Sequence, residues 1–239
     1  MSVLYLAAEG VATVTLNRPE SRNALNLAMC DGLIEAARAA GADESVRIFV
    51  IRANGPAFCA GADLKERQGM SEADVRARRM KGFAAYAALE ALSMPAIAVV
   101  QGPAVGSGCE IAGACDFIVA TPEASFRTPE AVRGSVGATQ RLPRILGKRL
   151  AKDMMFTGRT LSAEEAREAG LVARLVSALE LEEVLSGIKG EILKAPPGSL
   201  RLAKRCIDRG VELDPKGALN AEIEAIEEQL ATGSWMGKQ

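Results

Sequence analysis

Apolar and polar positions alternate from Val11 to Leu16, the signature of a half-buried strand. A similar run from Val3 to Ala8 can pair with it across Glu9-Gly10 as a hairpin, and Asn17-Arg18-Pro19 ends the pattern. The spacing of Leu27, Leu33, Ile34 and Ala37 changes to a helical period and predicts a helix over Leu27 to Ala40, with Gly41 as its stop. Val46 to Ile51 is short and β-branched and predicts a buried strand. Ser71 with Asp74 forms a capping-box pattern opening a long helix to about Leu92. After Pro95, Ala96 to Val100 predicts another buried strand, Cys109 to Cys115 a short apolar helix, and Phe117 to Ala120 a strand.

Beyond Pro143 the pattern is mostly helical. Ser162 with Glu165 repeats the capping box, Leu171 to Val176 reads as one more strand, and Leu179 to Lys194, Ser199 to Arg209 and Pro215 to Ala231 read as helices. Strands alternating with helices, followed by helices alone, predict an α/β layered fold with a helical C-terminal extension.

Composition narrows the function classes. The 239 residues suit one domain with an appendage, and the 49% apolar content supports a sizeable core. The formal net charge of -1 lacks the basic excess of a nucleic-acid partner. No apolar stretch approaches the roughly 20 residues of a membrane helix. The five cysteines are scattered, with no CxxC pair, and the N-terminus opens directly on a strand-like run; both lead to the expectation of a reducing cytoplasmic setting.

The chain contains no histidine. That removes Ser-His and Cys-His nucleophile pairs and histidine metal sites, and leaves carboxylates as the leading acid–base groups. A carboxylate serves as an acid near neutral pH only if burial or a like charge raises its pKa.

Two loops of small residues each follow a buried strand: Asn54 to Ala62 and Gly102 to Gly108. Each is readable as an ordinary tight turn or as a place where free amides meet a ligand oxygen. Glu110 lies in the apolar run CEIAGAC, where it either caps its own helix or is held for chemistry. Glu130 follows Pro129 in a turn, where it is either solvated or aimed inward. Asp63 is expected to fix its own loop, Asp116 to be structural, and Cys59 and Cys109 to be packing residues rather than nucleophiles.

Five short stretches in order resemble the crotonase family of enoyl-CoA hydratases and isomerases. They are Asn17-Arg18-Pro19 with Asn23-Ala24-Leu25-Asn26, Phe58 to Lys65, Gly106-Ser107-Gly108-Cys109-Glu110, Phe126 to Glu130, and Thr139-Gln140-Arg141-Leu142. Phe156-Thr157-Gly158-Arg159 and the run Ala163 to Val172 fit as well. The resemblance implies a β-β-α superhelix over residues 1–185 and a helical trimerisation region over 186–239, giving a homotrimer or a hexamer of paired trimers. It implies an oxyanion hole made by the Ala62 and Ser107 amides, with Glu110 and Glu130 as the catalytic pair. Coenzyme A would lie along Arg22, Ala24, Leu25, Ala60, Gly61 and Ala62, beside Asp63, Gly106 and Ser107, with Lys65 near its phosphates. The implied partner is an acyl-CoA substrate; no metal, other cofactor, nucleic acid or membrane is implied.

Hydration of a 2-enoyl-CoA is the activity expected, with 3-enoyl-CoA isomerisation, carnitinyl-CoA-type dehydration, or a non-catalytic acyl-CoA-binding scaffold as alternatives. Three departures from the family pattern carry expectations. Ser107 stands where glycine is usual, and would crowd the oxygen if its φ were positive. The loop after Glu130 is a few residues short, which puts the placement of Glu130 at issue. The chain ends at Trp235 to Gln239 without a further basic helical segment, implying weaker CoA affinity or an altered trimer edge.

Overall fold

The structure, a computed structural model, describes residues 1–232; Trp235 to Gln239 lie outside the described residues. Strands β1 (Val3–Ala8) and β2 (Val11–Leu16) form the expected hairpin. Beyond it lie β3 (Ile48–Ala53), β4 (Ala96–Val100), β6 (Phe117–Ala120) and the two-residue β9 (Arg174–Leu175), completing a six-stranded sheet in the order β1-β2-β3-β4-β6-β9. From β2 onward every pair is parallel, so each connection must cross over the sheet. Helices α1 (Leu27–Ala42), α2 (Glu72–Glu90) and α3 (Ser107–Gly113) make the first three of these four crossings.

Both faces of this sheet are covered, which is why its central strands read as continuous apolar runs. One face, including Phe49, Ile51, Ala98 and Val100, belongs to the main core with α1 and α2. The other, including Ile48, Val50, Ile97 and Val99, packs against Leu181, Leu185 and Ile188 of a later helix, α6 (Leu181–Lys194).

A second, three-stranded sheet contains β5 (Pro103–Val105), β7 (Ser125–Arg127) and β8 (Thr160–Ser162). None of the three was anticipated. Gly102 to Gly108 is therefore not simply a loop, because its middle pairs with β7, matching Ala104 to Phe126. Isolated bridges, Cys59 to Ala104 and Leu25 to Ala62, continue the same layer. Each turn of the chain thus gives one long strand to the first sheet and one short segment to the second before its helix: the β-β-α spiral.

Several boundaries differ from the sequence reading. Gly41 does not stop α1; it stays helical, and the chain leaves at Asp43, whose Oδ1 accepts from the Ser45 amide at 2.9 Å. The strand expected at Val46 runs instead from Ile48, because parallel pairing with β2 starts at Val11. The short apolar helix begins at Ser107, two residues early, and closes at Gly113. Both capping boxes are present, Ser71 with Asp74 and Ser162 with Glu165, the second opening α5 (Ala163–Glu168). Between β7 and β8 runs α4 (Arg141–Thr157), interrupted at Gly147. The C-terminal helices α7 (Pro197–Gly210) and α8 (Pro215–Ala231) pack on each other, and Lys204 ties α7 to the core through Asp116.

Candidate active site

A cavity of about 330 Å³ lies where the two amide-bearing loops, α2 and the segment after β7 converge. Leu25, Ala60, Gly61, Ala62, Gly106, Ser107, Glu110 and Glu130 line it. Arg22, Ala24, Asp63 and Lys65 do not. Arg22 and Lys65 are exposed, but the Arg22 carbonyl accepts from the Ala60 amide at 3.0 Å, so the 22–25 and 60–62 segments are joined.

The Leu25–Ala62 bridge decides where the Ala62 amide points. The Leu25 amide donates to the Gly61 carbonyl at 2.8 Å and the Asp63 amide to the Leu25 carbonyl at 2.9 Å. In such a bridge the middle residue turns its own N–H to the opposite side. Ser107 is the first residue of α3, where no intrahelical acceptor exists. Among the described residues neither amide has a backbone acceptor.

The crowding expected of Ser107 does not occur. The positive φ, 50°, falls on Gly106, one residue earlier, and Ser107 is helical. Its hydroxyl instead lies beside Tyr86 of α2. Gly108 permits the close approach of the two loops: a Cβ there would collide with the Cys59 carbonyl oxygen.

Glu110 sits in the first turn of α3 but does not cap it. Only 6% exposed, its Oε2 accepts from Arg141 Nη1 at 2.5 Å. Arg141 also grips Glu90 with Nε and Nη2, and its guanidinium lies 5.5 Å from the centre of the Tyr86 ring. Burial pushes the Glu110 carboxyl above its ordinary value, and the Arg141 hydrogen bond and charge oppose that rise.

Glu130 is half-buried, not a solvated turn residue. Its Oε2 is shielded from solvent and has no hydrogen-bond partner among the described residues, while Oε1 occupies the space a Gly106 side chain would need. Burial pushes its carboxyl up, its own backbone amide pulls it down, and the Glu110 charge adds to the rise. The shortened loop after it neither collapses nor fills the cavity. A 3-10 turn, Ala131–Arg133, is closed by the Ser135 amide on the Glu130 carbonyl at 2.8 Å. Arg79 of α2 then donates to Ser135 Oγ and, at 3.2 Å, to the Val136 carbonyl.

The supporting residues behave as scaffolding. Asp63 Oδ1 accepts from the Lys65 and Glu66 amides at 3.0 and 3.2 Å, and its Oδ2 pairs with Arg18 at 2.9 Å. Asp116 Oδ2 accepts from the Ala96 amide at 2.7 Å. Cys59 and Cys109 are fully enclosed, and burial pushes both thiols up, Cys59 to about 12, so neither is a nucleophile near neutral pH. Among the described residues no group of three acidic or cysteine side chains is arranged to hold a metal ion, and no helix is long and apolar enough to cross a membrane.

A buried and a half-buried carboxylate share one cavity with two amides that lack a backbone acceptor among the described residues, within a β-β-α spiral. The sequence profile of the enoyl-CoA hydratase/isomerase family matches residues 7–236. The chain belongs to the enoyl-CoA hydratase/isomerase family. The short-chain-enoyl-CoA hydratase of Clostridium acetobutylicum is 37% identical over 237 residues, covering 96% of this chain and 90% of that protein. The probable mitochondrial enoyl-CoA hydratase 2 of Arabidopsis thaliana is 37% identical over 227 residues, 93% of this chain and 75% of that one. The solved enoyl-CoA hydratase of Bacillus anthracis superposes with a TM-score of 0.91 at 36% identity, over 95% of this chain and 90% of its own.

The sequence reading missed Tyr86, Arg79 and the part played by Arg141, which it noted only within a motif. Their partners lie 21 to 57 residues away in the chain, and no local pattern announces them. The one available signal was helical spacing: Val75, Arg79, Gly82 and Tyr86 fall on one stripe of α2, and all four line the cavity.

Proposed function

We propose that this protein is an enoyl-CoA hydratase, adding water reversibly across the 2,3 double bond of an enoyl-CoA thioester. The observation that carries this is the shared cavity: Glu110 and Glu130 meet on it beside the unbonded Ala62 and Ser107 amides. The two amides bind the thioester oxygen, draw charge onto it and leave C3 electrophilic. A water lies between the carboxylates. Glu110, the one with a guanidinium partner, takes a proton from the water as its oxygen bonds to C3. Glu130, buried without a cation in contact, delivers its proton to C2. The cycle ends with Glu110 protonated and Glu130 ionised, and a proton passing back through water restores the pair. Two carboxylates shielded on one cavity share one proton in this way because both cannot readily ionise.

Coenzyme A runs along the 22–25 and 60–62 segments, with Arg22 and Lys65 outside the cavity for its phosphates. The helical region after residue 185 is an assembly surface for a trimer. No α7 residue is buried in the isolated chain, and α8 exposes Leu219, Ile223, Ile226 and Leu230.

The test follows loss of enoyl absorbance with crotonyl-CoA. Wild type turns over, and Glu110→Gln and Glu130→Gln each lose roughly 10²-fold or more. Turnover that persists in both variants removes the mechanism.

A further inference from the structure

Four arginines line the cavity: Arg67, Arg78, Arg79 and Arg133. Arg78 is neutralised by Glu66 at 2.7 Å and caps the Leu25 carbonyl, so it belongs to the scaffold. The others are different. Among the described residues no carboxylate lies within ion-pair distance of Arg67, Arg79 or Arg133, whereas Arg78 in the same cavity has one. Arg79 spends its donors on a hydroxyl and a carbonyl, both uncharged, and among the described residues Arg133 makes no side-chain hydrogen bond.

Arg79 and Arg133 line the cavity itself, whereas Arg22 and Lys65, proposed for the CoA phosphates, do not. Arg79 is seven residues before Tyr86 on the same stripe of α2, about 10 Å from it along the helix. Arg133 is in the turn that follows Glu130. The charges of both are felt at Glu130. Glu130 does not use them up, since it lies beyond ion-pair distance of either and burial still holds its carboxyl above the ordinary value. The rest of this wall is apolar, with Leu64, Val75, Phe83 and Val136. A hydrocarbon tail would satisfy that wall but would leave two guanidinium groups beside it with no counter-charge.

We propose that the acyl group taken by this site is short and carries a carboxylate at its distal end, held by Arg79 and Arg133. The substrate class is then the mono-CoA thioester of an unsaturated dicarboxylic acid. This rests on the acyl-CoA reading of the site and names which acyl groups it selects. A guanidinium–carboxylate pair in a partly closed pocket favours the charged chain over an apolar chain of equal length.

Binding of glutaryl-CoA and hexanoyl-CoA, measured by calorimetry, reads the preference without requiring turnover. Wild type should bind glutaryl-CoA tighter by about tenfold or more, the scale of one charge-assisted hydrogen bond. The ratio should fall to about one in Arg79→Gln/Arg133→Gln. Because the ratio is taken within each variant, a general weakening from a disturbed loop cancels. Arg133→Gln alone, at an exposed side chain with no bond to lose, should lower the ratio part-way and serves if the double variant does not fold. A wild-type ratio near one, or a ratio unchanged by substitution, overturns the proposal. Equal losses for both ligands would assign the arginines to the CoA moiety instead, which also overturns it. Failure of the hydratase reading is a separate result: no hydration of crotonyl-CoA.

Discussion

Arg141 donates to Glu110 Oε2 at 2.5 Å while the same guanidinium holds Glu90 and lies against the Tyr86 ring. It acts through Glu110, positioning one oxygen and favouring the ionised form. In Arg141→Gln the Glu110 carboxyl rises further, so less of it is ionised at a given pH. The acid limb of the kcat profile should move to higher pH, with kcat at its plateau down roughly tenfold to a hundredfold. Arg141→Lys should recover part of the limb position. Stability in urea should fall by less than about 3 kcal/mol, because the cavity admits water to the orphaned carboxylate. Reduced kcat with an unmoved acid limb would make Arg141 purely structural.

Glu130 carries a stability penalty with a definite pH signature. Its folded-state pKa is raised above the ordinary 4.5 by burial first, so the folded protein holds the proton more tightly than the unfolded chain does. Below the ordinary value both states are protonated and no penalty exists. It grows as pH rises through the raised value. Glu130→Gln should therefore raise Tm at pH 8 by a few degrees, about 1 kcal/mol, and by much less at pH 4. Thermal scans at the two pH values decide it; an equal gain at both contradicts the burial account.

Gly106 and Gly108 are constrained by different neighbours. An alanine at 106 meets Glu130 Oε1 and must also hold a φ of 50°. An alanine at 108 meets the Cys59 carbonyl and pushes the amide-bearing loops apart. Gly106→Ala should displace the second carboxylate, and Gly108→Ala should widen the gap between the Ala62 and Ser107 amides. Each should lose about 10²-fold or more in kcat. Ser107→Gly, which keeps the amide and removes only the hydroxyl beside Tyr86, should stay within about tenfold. Steady-state kinetics on the three variants separates main-chain geometry from the serine hydroxyl.

The apolar stripe on α8 predicts association. Ile223→Glu with Ile226→Glu places two carboxylates on that surface and should yield a smaller species by sedimentation than wild type. An unchanged sedimentation coefficient would place the interface elsewhere.

Local chemistry explains what the sequence revealed. Ser71 with Asp74, Ser162 with Glu165, and the bounds of α8 were legible because capping and periodicity act within a few residues. Gly41 misled because glycine ends a helix only where the chain needs a left-handed turn, and the chain continues helically there. The strands β5, β7 and β8 were illegible: three residues are too few to alternate, and they exist only because Ala104, Phe126 and Leu161 come side by side in the spiral. The placement of Glu110 and Glu130 on one cavity followed from resemblance, not spacing. The cations that distinguish them, Arg141, Arg79 and Arg133, became visible only once α2, α4 and the turn after Glu130 were seen against one another.

The bridge between Leu25 and Ala62 joins the segment proposed to carry the coenzyme handle to the segment proposed to present an oxyanion donor, as one piece of backbone. Grip on the distant nucleotide and grip on the reacting carbonyl are then mechanically a single event. A thioester shortened to its pantetheine arm would lose speed as well as affinity, because anchoring far from the double bond holds the donor still while charge builds on the oxygen.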